Sequence, residues 1–199
     1  MSHEPEYITR PLKNRWYALR HGQSSANVAG LIISDPDTGT IDFGLTSTGY
    51  DQVRNTMNTQ TQLDSNTLIY SSDFLRTLNT ASVAAHQINA SSSVITSTLL
   101  RERNFGKWER SSAANYEKVW RDDYNDANHT NHQVESVTAV AQRASSLVDE
   151  LELLHTARNI LLVSHGDTLQ ILECVFRNLP LETHRDLTPL DTAELRRLA

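Results

Sequence analysis

The chain has 199 residues, 38% of them hydrophobic and 21% charged, with a formal net charge of -6 and one cysteine. That composition suits one folded globular unit with a sizeable core and excludes a fibrous or wholly disordered chain. The acidic balance argues against nucleic acid or an anionic membrane as principal partner, and no apolar run has the length of a membrane span or the form of a signal peptide, so a soluble cytoplasmic protein is expected.

Residues 1–14 are polar, carry Pro5 and Pro11 and lack periodicity, so they read as an N-terminal arm before a single domain over 15–199. Trp16-Tyr17-Ala18-Leu19 is a short apolar run that ends abruptly in Arg20-His21-Gly22. A buried strand there hands the chain to a polar turn, which is where a parallel sheet keeps its chemistry. Gln23 to Val28 has the makings of a short helix, and Gly30 to Gly44, rich in Asp, Thr and Gly, reads as a loop. A helix to about Gln62 follows, capped by Thr46 or Ser47.

Thr67 to Ser71 predicts a second strand, after which Ser72-Asp73 offers a cap and a first-turn acid for a helix to about Asn89. Val94-Ile95-Thr96 predicts a third strand. The alternation then breaks at Arg101-Glu102-Arg103-Asn104-Phe105-Gly106 into a polar, aromatic insertion at about 107–132, with Tyr116, Trp120 and Tyr124. Four Lys or Arg stand against five Asp or Glu from Lys107 to His132, so it is no basic patch. Its aromatics either line a substrate mouth or, the simpler expectation, pack on the domain surface.

Glu135-Ser136-Val137 opens a long amphipathic helix through about His155, with Val140, Leu147, Leu151 and Leu154 as its stripe. Asn159 to Asp167 repeats the first design, an aliphatic strand running into His165-Gly166, and a helix follows from about Thr168 to Arg177. Cys174, among aliphatic neighbours on that helix, reads as a packing residue rather than a nucleophile. Thr192 to Leu198 is either an edge strand or a short helix. Strands alternating with helices imply an α/β fold whose central sheet is mostly parallel, doubly wound and flanked by helices, with the insertion after the third strand.

If the two His-Gly turns close neighbouring strands, a spacing of roughly 5 Å brings both imidazoles to one small ligand. Arg76 and Glu102, after the second and third strands, can feed the same crevice, giving a set of Arg20, His21, Arg76, Glu102 and His165. Two arginines and a helix N-terminus favour a multiply charged oxyanion, because guanidinium forks match phosphate oxygens. A neutral imidazole can attack phosphorus, and a carboxyl group can protonate the departing alkoxide. His21, His165 and Glu102 could also form a three-ligand metal site, but two converging arginines would repel the cation, so neither metal nor cofactor is expected. His86, His129, His132, His155 and His184 have no comparable setting and read as surface or packing residues.

Leu19-Arg20-His21-Gly22-Gln23-Ser24 with Asn27, Gly44-Leu45-Thr46 with Gly49, Ser71 to Thr77, Leu100 to Gly106, and Val163-Ser164-His165-Gly166 together resemble the histidine phosphatase superfamily, in its phosphoglycerate-mutase-like branch. The match runs over nearly the whole chain in the family's order. The resemblance implies that His21 is the residue phosphorylated, that Arg20, Arg76 and His165 clamp the phosphoryl oxygens, and that Asn27 is a further phosphate ligand. It implies supporting contacts from Ser24 and the Gly166 backbone, and Glu102 as proton donor. Arg103 reads as a structural or rim residue.

The phosphohistidine can pass its group to water or to a second hydroxyl. Mutases of this family resemble longer chains with an extra basic, proline-rich segment, whereas residues 107–132 are near neutral and contain no proline. That departure favours a histidine acid-type phosphatase acting on a small phosphorylated metabolite, with a mutase as alternative and a non-catalytic phosphate-ester-binding domain third. Activity should fall at acid pH once His21 is protonated. The sequence leaves the substrate and the oligomeric state open.

Overall fold

Asn159–Ser164 is buried at every position, as a central strand covered on both faces must be, and the sheet is built around it. The computed structural model describes residues 7, 8 and 10–199. In chain order its elements are β1 Arg15–Arg20, α1 Ser25–Ala29, α2 Pro36–Gly39, α3 Ser47–Thr59, β2 Leu68–Ser71, α4 Leu75–Gln87, β3 Ile95–Thr96, α5 Tyr116–Asn125, α6 Val137–Leu154, β4 Asn159–Ser164, α7 Gly166–Arg177 and β5 Leu195–Arg197. The strand order is β3-β2-β4-β1-β5, parallel throughout except for β5, which runs antiparallel to β1. The expected mostly parallel α/β sheet flanked by helices is therefore present, and the undecided tail is its edge strand.

Alternation along the strands divides the core between two faces. Trp16, Leu68, Tyr70, Ile160 and Leu162 point to the side covered by α6 and α7, where Val140, Leu147 and Leu172 meet them. Tyr17, Leu19, Ile69, Leu161 and Val163 point to the side of α3 and α4 and meet Val53, Met57, Ala81 and Ala84. Cys174 is fully buried in the first cluster, as its neighbours implied. Among the described residues no helix is long and apolar enough to cross a membrane.

Three local expectations are corrected. The loop over 30–44 is interrupted by α2, because Asp35 caps the Asp37 amide and Pro36 opens the turn. Ser72 and Asp73 do not cap α4. Phe74 holds the cap position with no side-chain bond, while Asp73 is drawn into a two-bond pair with Arg101 at 2.8 and 2.6 Å. Leu154 is 64% exposed, because the inward position in the last turn of α6 belongs to Glu152. Its carboxylate accepts from the Lys13 and Asn14 amides and from Trp16 Nε1. The expected arm over 1–14 lies partly outside the described residues; within them, Tyr7, Ile8 and Leu12 pack against the α6–α7 face.

Candidate active site

The pairing of β1 with β4 sets Arg20 opposite Ser164, so the next residue on each strand is a histidine, and the His21 amide donates to Ser164 O at 3.1 Å. On the other side of β4 the Ser72 amide donates to Val163 O at 3.0 Å, which brings the start of α4 to the same edge. Three adjacent strand ends thus open on one crevice, the place where doubly wound sheets bind ligands.

The His21 ring is held at both nitrogens. Nδ1 lies 2.8 Å from Gly22 O, and since a carbonyl only accepts, Nδ1 carries the hydrogen of the neutral ring. Nε2 keeps its lone pair and accepts from Arg76 Nε at 3.2 Å. Burial, then the charges of Arg76 and Arg20, hold the His21 pKa well below its ordinary 6.5. His165 stands edge-on beside it, with ring centroids 5.4 Å apart. Its Nε2 is 2.9 Å from Ser72 Oγ, which also accepts from the Phe74 amide. A hydroxyl proton given to Nε2 makes Nδ1 the protonated nitrogen of His165, and Nδ1 has no partner.

Arg20 Nε and Arg76 Nη1 are likewise buried without a partner. One further nitrogen of each is fixed by a backbone carbonyl, Arg20 Nη1 by Leu190 O at 2.6 Å and Arg76 Nη2 by Ile33 O at 2.9 Å. Two guanidinium donors and one imidazole nitrogen are therefore left for an anion with several oxygens. Ser24 caps α1 by accepting from the Asn27 amide, while Asn27 Oδ1 accepts from the Ser24 amide and hydroxyl. That bond commits the oxygen of Asn27 and leaves its Nδ2 as donor. Gly166 is the first residue of α7, so a helix N-terminus also faces the site.

Glu102 Oε1 accepts from the Arg103 amide at 3.0 Å and from Thr168 Oγ1 at 3.2 Å. Burial, then the nearby Asp167 carboxylate, raise its pKa, against the opposing pull of Arg76. A raised carboxyl is suited to donating a proton. Arg20, His21, Arg76 and Glu102 line one cavity of about 200 Å³ with Ser24, Asn27 and Gly166, and His165 is buried next to the lining rather than in it. All the residues read from the sequence as a set are thus brought together.

Tyr116 and Trp120 line this cavity too, so surface packing is the wrong choice for them; Tyr124, 66% exposed, does not. Arg103 is no rim residue. It is fully buried, with two 2.7 Å bonds to Asp123 and one of 3.3 Å to Asp167. His129 and His184 belong to the same buried charge cluster, His129 Nε2 lying 2.6 Å from Asp123 and His184 Nε2 3.9 Å from Asp123 and from Asp167. Sequence reasoning also passed over Asp167, Gln170 and Arg185, which line the cavity. Asp167 directly follows His165-Gly166 and could have been found there. Arg185 sits in a short 3-10 segment of the tail, Leu181–Asp186, with no local signal.

The family model for the histidine phosphatase superfamily (branch 1) matches residues 16–199. An adenosylcobalamin/alpha-ribazole phosphatase of Escherichia coli (strain K12) is 29% identical over 176 residues, covering 84% of this chain and 81% of that protein. A protein of Photorhabdus laumondii subsp. laumondii that bears the name probable phosphoglycerate mutase GpmB is 31% identical over 176 residues, 86% of this chain and 78% of the relative. Among solved structures, a mycobacterial glucosyl-3-phosphoglycerate phosphatase in complex with VO3 superposes with a TM-score of 0.75 at 27% identity, over 91% of this chain and 90% of that one. With the sheet, the His-Gly strand ends and nearly the whole length in agreement, the chain belongs to branch 1 of the histidine phosphatase superfamily and is a phosphatase or mutase enzyme.

Proposed function

We propose that the chain hydrolyses a small phosphorylated metabolite, without metal or cofactor, through a phosphohistidine on His21. The observation that carries this reading is the His21 ring, whose Nδ1 is spent on Gly22 O so that the lone pair is kept at Nε2, beside the unpaired donors of Arg20 and Arg76. Nε2 attacks phosphorus as the ester P–O bond breaks, and Glu102 gives its proton to the departing alkoxide. Water then attacks the phosphorus of the phosphohistidine while the Glu102 carboxylate takes a proton from it, and P–N cleavage restores the ring and frees phosphate. Arg20, Arg76, Asn27, His165 and the Gly166 backbone hold the equatorial oxygens, with Ser24 fixing Asn27. Their donors are in place before reaction, so little reorganisation is needed as charge shifts.

Hydrolysis is favoured over transfer by the insertion at 107–132, which is near neutral and free of proline. Phosphoryl transfer to a second hydroxyl is the other reading, supported by the mutase-named relative at 31% identity. Phosphate release from p-nitrophenyl phosphate in excess chelator, in wild type and His21→Ala, tests the proposal. Release that survives chelation and is lost in the variant is expected. No release from the wild type would overturn hydrolysis and leave a strict mutase or a phosphate-ester-binding domain.

A further inference from the structure

The alcohol half of the cavity has its own construction. Tyr116 and Trp120 stack with ring centroids 5.3 Å apart and planes 7° from parallel, and the Arg185 guanidinium lies 3.7 Å from the centre of the Trp120 ring. Arg185 is fixed in its plane as well. Gln170 Nε2 donates to His184 O and Leu187 O, which turns its Oε1 toward Arg185 Nη1, and Asp167 Oδ1 accepts from the same nitrogen at 3.4 Å. Among the described residues, Arg185 Nε and Nη2 and the Tyr116 hydroxyl have no hydrogen-bond partner, and both residues line the cavity.

The charges sort into two groups. Arg20 and Arg76 are in no ion pair among the described residues, and both keep unpaired donors. Their two positive charges match the dianion of one phosphomonoester at neutral pH. Arg185 and Arg103, by contrast, stand against Asp167 and Asp123, two cations and two anions joined by contacts of 2.7 to 3.4 Å. Glu102, the remaining carboxyl of the lining, adds no positive charge in either protonation state. A second anionic group on the substrate would enter a cavity lined largely by buried or half-buried side chains with no surplus cation to meet it, which is costly.

We infer that the alcohol carried by the substrate is small, uncharged and hydroxylated, a polyol or sugar monophosphate rather than a phosphorylated carboxylic acid or a bisphosphate, with Arg185 and Tyr116 as the donors that read its hydroxyl groups. Arg185 acts here as a hydrogen-bonding fork whose charge is already spent on Asp167. The inference rests on the hydrolase reading above and adds the selection at its leaving-group end.

Glycerol 3-phosphate and 3-phosphoglycerate differ only in a hydroxymethyl against a carboxylate, so they isolate this one property. Each is measured as substrate and as competitor of p-nitrophenyl phosphate. The neutral ester should have a kcat/KM, or failing turnover a reciprocal inhibition constant, at least about tenfold that of its carboxylate twin. Asp167→Asn, which leaves the Arg185 charge uncompensated, should move that ratio at least about fivefold toward 3-phosphoglycerate. A carboxylate twin that equals or exceeds the neutral one, or a neutral twin that neither turns over nor competes, overturns the inference while p-nitrophenyl phosphate turnover leaves the hydrolase reading standing. Loss of all p-nitrophenyl phosphate turnover in the wild type overturns both. The wild-type comparison decides the matter even if Asp167→Asn fails to fold.

Discussion

His21 and Glu102 are opposite cases of one effect. Burial disfavours charge, so it lowers the imidazole and raises the carboxyl, and each shift is toward the neutral form that the proposed first step requires. For His21, Arg76 and Arg20 push the same way, which places the acid limb of a kcat/KM profile well below pH 6.5. A limb centred at or above pH 6.5 would assign it to another group or deny His21 the nucleophile's role. For Glu102, proton donation matters in proportion to the basicity of the leaving group. Glu102→Gln should lower kcat/KM on an alkyl phosphate by about 10²- to 10³-fold and on p-nitrophenyl phosphate by less than about tenfold. Equal losses on both esters would show that the carboxyl does not protonate the leaving oxygen.

At the scale of elements, the site exists because β1, β4 and β2 end side by side and the turn after each is held tightly. The turn after β1 approaches α3 so closely that a Cβ on Gly22 would lie 2.5 Å from Gly49 O and 3.0 Å from a methyl of Val53. Backbone cannot yield there as a flexible side chain could, and Gly22 O is also the acceptor that orients His21. Gly22→Ala should therefore destabilise the fold by about 1–3 kcal/mol, read from the urea midpoint, and lower turnover as well. A Gly22→Ala protein matching the wild type in both would mean that the β1 turn and α3 can separate without cost. The insertion contributes in a different manner. Helix α5 places Tyr116 and Trp120 along the cavity, and the Asp123 pair with Arg103 ties that helix to the residue beside Glu102.

For the molecule as a whole, a site that keeps its histidines neutral imposes a pH dependence on stability. His21, His165 and His184 all have native pKa values below 6.5, with burial the leading cause in each. As pH falls below 6.5 the unfolded chain gains protons that the native chain refuses, so stability falls with pH, by up to about 1.4 kcal/mol per unit for each histidine until its native pKa is reached. Glu102 opposes this between 4.5 and its raised native pKa, where the native chain holds a proton that the unfolded chain has lost. Three groups outweigh one. The urea midpoint should be lower at pH 5.5 than at pH 7.5, and equal midpoints would mean that the histidines are not held neutral by the fold.

Strand ends and their chemistry were legible in the chain because they are local. An aliphatic run followed by His-Gly states both the strand and the turn, and adjacent residues such as Arg20 and His21 travel together wherever the strand goes. The order of alternating elements was equally local, and with it the parallel sheet. Neighbourhood was not. Ser72 reads as a helix cap until β2 is seen to lie beside β4, where His165 claims its hydroxyl. Glu152 carries no local signal of burial in the pattern of α6, yet the amides of Lys13 and Asn14 and the indole of Trp16 on β1 meet its carboxylate in the core. Arg185, 165 residues from Arg20 in sequence, joins the same cavity with no signal in its own neighbourhood. The sequence by itself thus determined which groups can react and at which strand ends they stand. Only the tertiary structure decided which charges are already neutralised and which are left for a substrate, because pairing depends on contacts between segments that local pattern does not encode.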